Sequence, residues 1–597
     1  MRITTYKRCL LAAAVSTAAS APAFAVSFDI GEIHGQFDSA LSIGASWQTQ
    51  SSSQDLIDTT NGGNGFSSSG DDGRLNFDKG ETFSKIFKGV HDLELRYQDT
   101  SVFVRGKYWY DFELKDEDRP FKQISDDGRE MSARSSGAEF LDAFVSQKYE
   151  IAERPGNVRL GQQVLSWGES LFIGNSINSI NPLDVAALRR PGSELKEGLI
   201  PVNMFYMSQS LTDSLNLEAF YQLEWKPYAL DNCGTFFGAD PVAKGCNRNL
   251  NGGMAGIRPL QPIAANAGLG FDISDPEGVV IGREKNNDPR DSGQYGFAMH
   301  WLGEGAEYGA YYINYHSRAP KFSLRTASGV TDFIQNDPGF ADLAATDPDL
   351  AFALGLATGA GNTTYFLDYP EDIHLYGLSF ATTLPTGTAW SGEISYRPNL
   401  PVSINTADLF GGALNPTFRA LTGGDIEPTV QAEEGQVLQG WKRKEVTQAQ
   451  TTFLHLFDPV LGADSLSVAA EFGVTHVGGL ESLDKQRYGR DSVFGDIVQG
   501  GRHGYFTENS WGYRVFTNLK YSDVFAGVNL VPNLFWSHDV DGYGPVFNEG
   551  AKSVGLGLDA DYRNTYTASL SYTNNFGGDF NTDIDRDFVS LSFGVNF

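Results

Sequence analysis

The chain has 597 residues with 74 acidic and 45 basic side chains, and its formal net charge at pH 7 is −29. This charge excludes nucleic acid as a partner, because a polyanion would be repelled. No stretch has the spacing of an EF-hand loop, and His and Cys are not clustered at metal-ligand spacing, so we expect no metal and no other cofactor.

The N-terminus has the pattern of a secretory signal peptide. Basic residues precede an apolar run from Leu10 to Val15, and small residues then lead to Ala25. We expect cleavage after Ala25, so that residues 1–25 are the signal peptide and residues 26–597 form one exported domain. After this signal, no apolar run approaches the roughly 18 residues that a transmembrane helix requires.

Much of the remaining chain alternates apolar and polar residues at a period of two, which is typical of membrane-spanning β-strands. Eight short turns, a first strand at 35–48 and a last strand at 587–597 predict an all-β, transmembrane antiparallel barrel of about 18 strands, with 16 as the alternative. Both ends of such a barrel lie on the periplasmic side of a Gram-negative outer membrane. The predicted turns lie near residues 98–101, 152–156, 212–214, 303–305, 385–387, 459–464, 522–523 and 563–564.

Two strands carry the clearest lumen-facing pattern. Charged residues after the first turn alternate with Val102, Val104 and Tyr108, and Phe103 shares the charged face. A charge that faces lipid near the bilayer midplane costs about 2–4 kcal/mol, so we assign the charged face to the lumen. The predicted lumen-lining residues of these two strands are Arg105, Lys107, Trp109, Asp111, Glu113 and Phe220.

The third outer loop contains a predicted helix and a cluster of charges. Asn181 followed by Pro182 has the pattern of a helix N-cap with proline at the first helical position, and the helix should run to about Arg190. Two interpretations remain open: an inward-folded constriction with opposed charges, or a loop that forms salt bridges with itself. The charged residues of this predicted constriction are Asp184, Arg189, Arg190, Glu194, Lys196 and Glu197.

Cys233 and Cys246 lie in a Gly- and Asn-rich stretch of the fourth outer loop. Cys9 leaves with the signal peptide, so we predict a disulfide between the remaining two in this exported protein.

The fifth outer loop has a second helix start at Asp347-Pro348-Asp349. Leu350, Ala353, Leu354 and Ala357 share one face of this helix, which would be a lid or a packed surface helix. We expect almost no helix outside loops 3 and 5, and we expect the long outer loops to plug part of the lumen.

The C-terminal strand alternates apolar residues from Val589 to Phe597 with small or polar ones. A terminal Phe in this register resembles the signal that the barrel-assembly machinery recognises in outer-membrane proteins. We therefore expect this machinery as a partner, together with outer-membrane lipid and lipopolysaccharide.

Four motifs resemble a proteobacterial family of outer-membrane proteins known as domain of unknown function 1302, or DUF1302. They are Arg159 to Gln163, Trp167 to Glu169, Asn181 to Gly192, and Gly392 to Asn399. The resemblance spans the mature chain and implies an outer-membrane barrel. It also implies the company of a periplasmic carrier protein and an inner-membrane lipid transporter, which suggests hydrophobic cargo such as lipids, sterols or aromatic compounds.

Within the last motif, Glu393 and Arg397 are four residues apart on one strand, so both point away from the face of Ile394 and Tyr396. We assign both charged residues to the lumen. They would either bind cargo or balance the charge of the lumen.

These features favour a loop-gated channel or transporter for small hydrophobic molecules. The alternatives are an open, cation-preferring porin and a surface or adhesive barrel without a transport function. We do not expect an enzyme, because the Ser and His residues that lie together are adjacent and would point to opposite faces of a strand.

Overall fold

The computed structural model describes residues 26–238, 240–426, 429–495 and 501–597. The predicted signal peptide, residues 1–25, lies outside the described residues. The strands are β1 (Val26–Ile30), β2 (Ile33–Gln48), β3 (Thr82–Tyr97), β4 (Thr100–Asp111), β5 (Ser136–Ile151), β6 (Arg154–Gln163), β7 (Val202–Ser210), β8 (Leu215–Gln222), β9 (Gly282–Arg283), β10 (Tyr295–Leu302), β11 (Ala306–Tyr315), β12 (Lys321–Arg325), β13 (Thr364–Asp368), β14 (Ile373–Thr383), β15 (Ala389–Ser403), β16 (Val437–Leu438), β17 (Trp441–Phe457), β18 (Ser465–Gly478), β19 (Asn509–Phe525), β20 (Val528–Asp541), β21 (Lys552–Tyr562), β22 (Tyr566–Phe576) and β23 (Phe588–Asn596).

Eighteen strands form one closed antiparallel barrel, which confirms the predicted fold. The barrel closes where β2 pairs with β23, from Ala40 opposite Asn596 to Gln48 opposite Phe588. The short strand β1, which we did not predict, pairs with the first residues of β2. The barrel strands are β2 to β8, β10, β11, β14, β15 and β17 to β23.

Short turns join the strands at one end of the barrel, and seven of the eight lie where the sequence predicts them. The exception is the turn between β19 and β20, which we placed at Ser522-Asp523 and which lies at Ala526-Gly527. The pairing of β19 with β20 shifts register between Tyr521 and Phe525, so Ser522 and Asp523 belong to a bulge. Ala526 and Gly527 have φ values of 51° and 85°, as a tight hairpin turn requires.

The outer surface of the barrel is apolar where it would face lipid. In β15, for example, the side chain of Ile394 points outward and is exposed, whereas Glu393 and Ser395 point inward and are buried. The same alternation on other strands gives a transmembrane belt. Further exposed apolar residues of this surface are Phe140, Leu160, Phe297, Leu378, Phe472 and Phe593.

Nine longer connections, the outer loops, join the strands at the opposite end of the barrel. Those described below are loop 1 (49–81), loop 2 (112–135), loop 3 (164–201), loop 4 (223–294), loop 5 (316–372), loop 6 (404–440), loop 7 (479–508) and loop 9 (577–587).

Helices occur in more loops than we predicted, so the expectation of helix almost only in loops 3 and 5 is wrong. Among the described residues, no helix is long and apolar enough to cross a bilayer. The helices are α1 (Asp72–Asn76), α2 (Phe112–Asp116), α3 (Val185–Leu188), α4 (Gln261–Asn266), α5 (Val330–Asn336), α6 (Pro338–Thr346), α7 (Pro348–Asn362) and α8 (Thr406–Thr422).

Loops 4, 5 and 6 fold together into a cap with its own sheet and apolar core. The sheet has the order β16-β12-β13-β9 and so contains strands from all three loops. As predicted, α7 begins at Pro348, where Asp347 accepts a hydrogen bond from the N–H of Leu350. Leu354 and Ala357 of its predicted apolar face are buried in the cap, whereas Leu350 is exposed.

Candidate functional site: loop 3 across the lumen

Asn181 ties the two ends of loop 3 together. Its Oδ1 accepts a hydrogen bond from the N–H of Leu165 at 2.9 Å, and its Nδ2 donates to the carbonyl oxygens of Gln163 and Ile200 at 3.2 and 3.0 Å. The predicted role of Asn181 as a helix N-cap is therefore wrong. Asp184 is the N-cap of the shorter helix α3, because its carboxylate accepts from the N–H of Ala187.

The first part of loop 3 packs against an aromatic region of the barrel wall. The ring of Trp167 lies 5.2 Å from that of Phe220 and 5.9 Å from that of Tyr311. Its indole N–H donates to Glu218 Oε2 at 2.8 Å. Phe220 therefore points into the barrel, and its face is covered by loop 3 and is not open to solvent.

Glu393 and Arg397 of β15 hold the middle of loop 3. The Glu393 carboxylate accepts from the backbone N–H of Glu169 at 2.5 Å and of Ile177 at 3.3 Å. Arg397 Nη2 donates to the carbonyl oxygens of Asn175 and Ser176 at 2.7 and 2.6 Å. Both charged side chains are buried and bind the loop backbone.

Glu471 of β18 is a third anchor, which the sequence analysis missed. Its carboxylate accepts from three consecutive backbone N–H groups, those of Leu171, Phe172 and Ile173, at 3.1, 2.6 and 2.8 Å. The signal was present, because Glu471 is a lone acid in an apolar alternating strand and so should face the lumen. We call β15, β17 and β18 the far wall, because they lie across the barrel from β6 and β7, which loop 3 connects.

Lysines from β3 and β4, the near wall, hold the returning part of loop 3. Lys107 Nζ lies 2.9 Å from Asp184 and 3.0 Å from Glu139, and Lys88 Nζ lies 2.5 Å from Glu197. Lys107, Asp184, Lys88 and Glu197 are all buried. Loop 3 therefore spans the lumen between two walls, with backbone contacts at one and ion pairs at the other.

The remaining charges of the predicted constriction bind different neighbours. Arg189 contacts Asp231 of loop 4 at 2.5 Å, and burial raises the pKa of that carboxyl. Arg190 lies over the Trp109 ring at 4.5 Å. Glu194 and Lys196 form a partly exposed pair with each other at 2.9 Å. Most of these charges thus fasten loop 3 to its surroundings.

The other predicted lumen residues lie on or near β4. Arg105 forms two 2.7 Å bonds with Asp92 and lies 5.2 Å over the Phe103 ring. Asp111 is buried at the end of β4, where it caps α2. Glu113 is not on a strand, because the chain enters α2 at Phe112. There it binds Lys85 at 2.6 Å and Arg119 at 2.7 Å.

A disulfide joins Cys233 to Cys246 in loop 4. Its sulfur atoms lie in a small buried cluster with Ala243. The bridge closes one end of loop 4 beside loop 2, where Arg129 donates to Asn232 at 2.5 Å.

The comparison with solved structures finds proteins that align over most of the chain at very low sequence identity and with TM-scores below 0.5. OccAB1 of Acinetobacter baumannii is 9% identical, with 96% of this chain and 98% of that chain covered and a TM-score of 0.39. OccK1 of Pseudomonas aeruginosa is 10% identical, with 94% and 98% covered and a TM-score of 0.38. OmpF of Salmonella typhi is 9% identical, with 96% and 100% covered and a TM-score of 0.34.

No curated protein matches the chain significantly. One family model matches residues 7–597, which is nearly the whole sequence, and its description is "Protein of unknown function (DUF1302)". This match confirms the resemblance of the four motifs, and the chain belongs to the DUF1302 family.

Proposed function

We propose that the protein is an outer-membrane channel for small hydrophobic molecules and that loop 3 controls passage through it. The observation that carries this proposal is the double anchoring of loop 3, by Glu471 on the far wall and Lys107 on the near wall. A barrel of eighteen strands encloses a lumen wide enough for small solutes unless loops fill it. A loop held at both walls narrows that route.

Aromatic side chains of the lumen support an apolar cargo. Trp167 of loop 3 forms one cluster with Phe220 and Tyr311, which would become available to a solute when loop 3 moves. A second group is formed by Phe103 and Phe144, whose ring centroids are 5.6 Å apart. The transfer of an apolar solute out of water lowers its free energy only where such apolar surface is available.

The partners of this pathway are part of the proposal. A hydrophobic solute needs a carrier to cross an aqueous compartment such as the periplasm, because it dissolves poorly in water. The periplasmic carrier and inner-membrane lipid transporter that the family resemblance implies would meet that need.

Planar-bilayer recording tests the control by loop 3. We expect small or intermittent conductance from the intact protein, and a rise when loop 3 is shortened around Asn181 to Pro191, because Asn181 and Asp184 are then lost as anchors. A matched control replaces Glu194 and Lys196 by Ala, which changes loop 3 but none of its anchors. Large, steady, cation-selective conductance from the intact protein would favour the open porin instead.

Growth profiling tests the cargo. A deletion strain should lose growth on one hydrophobic carbon source while growth on sugars is unchanged. Plasmid-borne protein should restore that growth. Equal growth of both strains on every hydrophobic source tried would contradict this cargo class.

A further inference from the structure

Residues of loops 1, 3, 4, 5, 6, 7 and 9 line a cavity of about 340 Å³. This volume lies within the range of small-molecule sites. Much of its wall is apolar, and this part includes Leu56, Phe237, Leu250, Phe322, Phe410 and Val493.

Loop 3 forms part of the wall of this cavity. Arg189 of loop 3 contributes to its wall, next to Phe237. A second cavity of about 330 Å³ shares Ser67, Leu250 and Phe410 with it. The first cavity therefore adjoins both loop 3 and the second cavity.

Charged residues of both signs also line the cavity, but two of its three arginines already have carboxylate partners. Arg74 binds Asp585 at 2.8 and 3.1 Å and the carbonyl oxygens of Gly70 and Thr582. Arg189 binds Asp231. The charged lining residues are Arg74, Arg189, Asp240, Asp491, Asp583 and Arg586.

Arg586 is the arginine whose hydrogen-bonding capacity is unused. Its side chain is 5% exposed, and its Nη1 has no hydrogen-bond partner among the described residues. The carboxylate nearest to its Nε is that of Asp585, at 3.9 Å, which exceeds hydrogen-bond distance. Its guanidinium lies 4.8 Å over the ring of Phe236. A buried cation without a hydrogen-bonded counter-ion is costly.

Two of the three acids that line the cavity, Asp240 and Asp491, are poor counter-ions, and the third, Asp583, is exposed. Burial raises the pKa of Asp240 well above its usual range, and Oδ1 of this residue has no hydrogen-bond partner within the described chain. Burial also raises the pKa of Asp491. Burial and the neighbouring Arg74 lower the pKa of Arg586 only to about 9, so that Arg586 is still charged at neutral pH.

We propose that this cavity binds an amphiphilic organic acid, with the anionic group on Arg586 and the apolar body against Phe237, Leu250 and Phe410. The inference rests on the proposed function, because it names the class of hydrophobic molecule that the channel takes. The guanidinium of Arg586 lines the cavity, so an anion there would supply oxygen atoms to accept its hydrogen bonds, and the apolar wall supplies a surface for the rest of the ligand. Outside this cavity, the chain would repel an anion, because its net charge is −29.

Two fluorescent probes with the same naphthyl body test the site. One, 8-anilinonaphthalene-1-sulfonate, carries an anionic group, and the other, N-phenyl-1-naphthylamine, carries none. Both are titrated into the intact protein in nanodiscs of zwitterionic lipid, and the signal of empty nanodiscs is subtracted. We expect the anionic probe to bind more tightly.

In R586Q the anionic probe should bind about tenfold more weakly, because one charge-assisted contact is lost, while the neutral probe should bind as before. R586K keeps the charge and should retain part of the preference, and it replaces R586Q in the test if that variant does not fold. The matched control is R502Q, because Arg502 is an exposed arginine of loop 7 outside the cavity.

The proposal is overturned if the intact protein shows no preference for the anionic probe, or if R586Q keeps that preference. Its failure is distinguishable from failure of the channel proposal, because conductance and growth are measured separately. An open-pore conductance together with an Arg586-dependent preference would refute the loop-gated channel and support the binding site.

Discussion

Buried carboxylates occur in two regions of the molecule, with opposite consequences. In the lumen, Glu471 alone receives three backbone N–H groups of loop 3. Where loop 1 meets loop 4, Asp71, Asp72 and Glu277 lie together and are almost fully buried. Two of these carboxylates share one cation, Lys122, which contacts Asp72 at 3.0 Å and also contacts Glu277.

The difference shows that burial alone does not determine how a carboxylate contributes to the stability of the loops around it. Glu471 accepts three hydrogen bonds from backbone N–H groups of loop 3, and these bonds fix the position of the loop. At the junction of loops 1 and 4, burial together with Glu277 and Asp72 raises the pKa of Asp71 to about 7, despite hydrogen bonds from Asn61 and Asp58. Glu471 thus acts as a fixed anchor, whereas the junction is sensitive to pH and to loss of its lysine.

Loss of the Glu471 anchor should have the largest effect. Glu471→Ala leaves three N–H groups of loop 3 without an acceptor, at a cost of about 1–3 kcal/mol for each one that stays buried. We expect loop 3 to detach from the far wall, so that single-channel conductance rises and the thermal midpoint falls.

Glu471→Gln retains one acceptor oxygen and should show a smaller change in both measurements. Glu94→Ala is the matched control, because the Glu94 carboxylate bonds to Arg96 of the same strand on an exposed part of β3. Unchanged conductance in Glu471→Ala would show that this carboxylate does not hold the loop.

Removal of the shared lysine should be the next largest effect. Lys122→Met leaves Asp72 and Glu277 without their cation, and breaking a buried pair in this way costs about 3 kcal/mol or more. We expect faster proteolysis of loops 1 and 4 at pH 8 than in the unaltered protein, with the barrel itself intact on unheated gels. Lys244→Met is the control, since Lys244 pairs with Glu130 at the surface.

The effect of pH on the opening of loop 1 should be gradual, and it should be smaller than the effect of removing Lys122. In the folded protein the pKa of Asp71 is raised from 3.8 to about 7. The favourable contribution of Asp71 to the free energy of unfolding is therefore complete below about pH 4 and is lost as the pH rises to about 7. Asp71→Asn should therefore flatten the pH dependence of loop 1 opening over this window, as measured by hydrogen exchange. Asp55 is an exposed acid of loop 1, so Asp55→Asn should leave the pH dependence of loop 1 opening unchanged. If Asp71→Asn has the same pH dependence as the unaltered protein, Asp71 is not the group responsible.

The smallest effect is expected at the exposed pair of loop 3. Lys196→Gln breaks its contact with Glu194, and such surface pairs contribute about 0–1 kcal/mol. Stability and conductance should match those of the unaltered protein. A clear rise in conductance would mean that Lys196 contributes to the constriction directly.

The barrel could be predicted from the sequence because a period of two is a local signal. Glu393 and Arg397 could likewise be assigned to the lumen, since a charge cannot face lipid cheaply. Their partners could not be predicted, because backbone groups of loop 3 carry no sequence signature. The cap was missed for a related reason: β9, β12, β13 and β16 are short and pair across three loops, so that only tertiary contacts identify them.

The strand that the sequence did not predict has a consequence for protein engineering. Phe597 exchanges backbone hydrogen bonds with Ser39 of β2, and Val26 of β1 lies opposite Phe37, two residues further along. The first and last described residues are thus neighbours on one line of the sheet, roughly 7 Å apart at the usual rise per residue. A short linker could join them in a circular permutant whose new ends open at Ala152-Glu153. Insertion of that permutant would show whether assembly needs a terminal phenylalanine or only a complete set of strands.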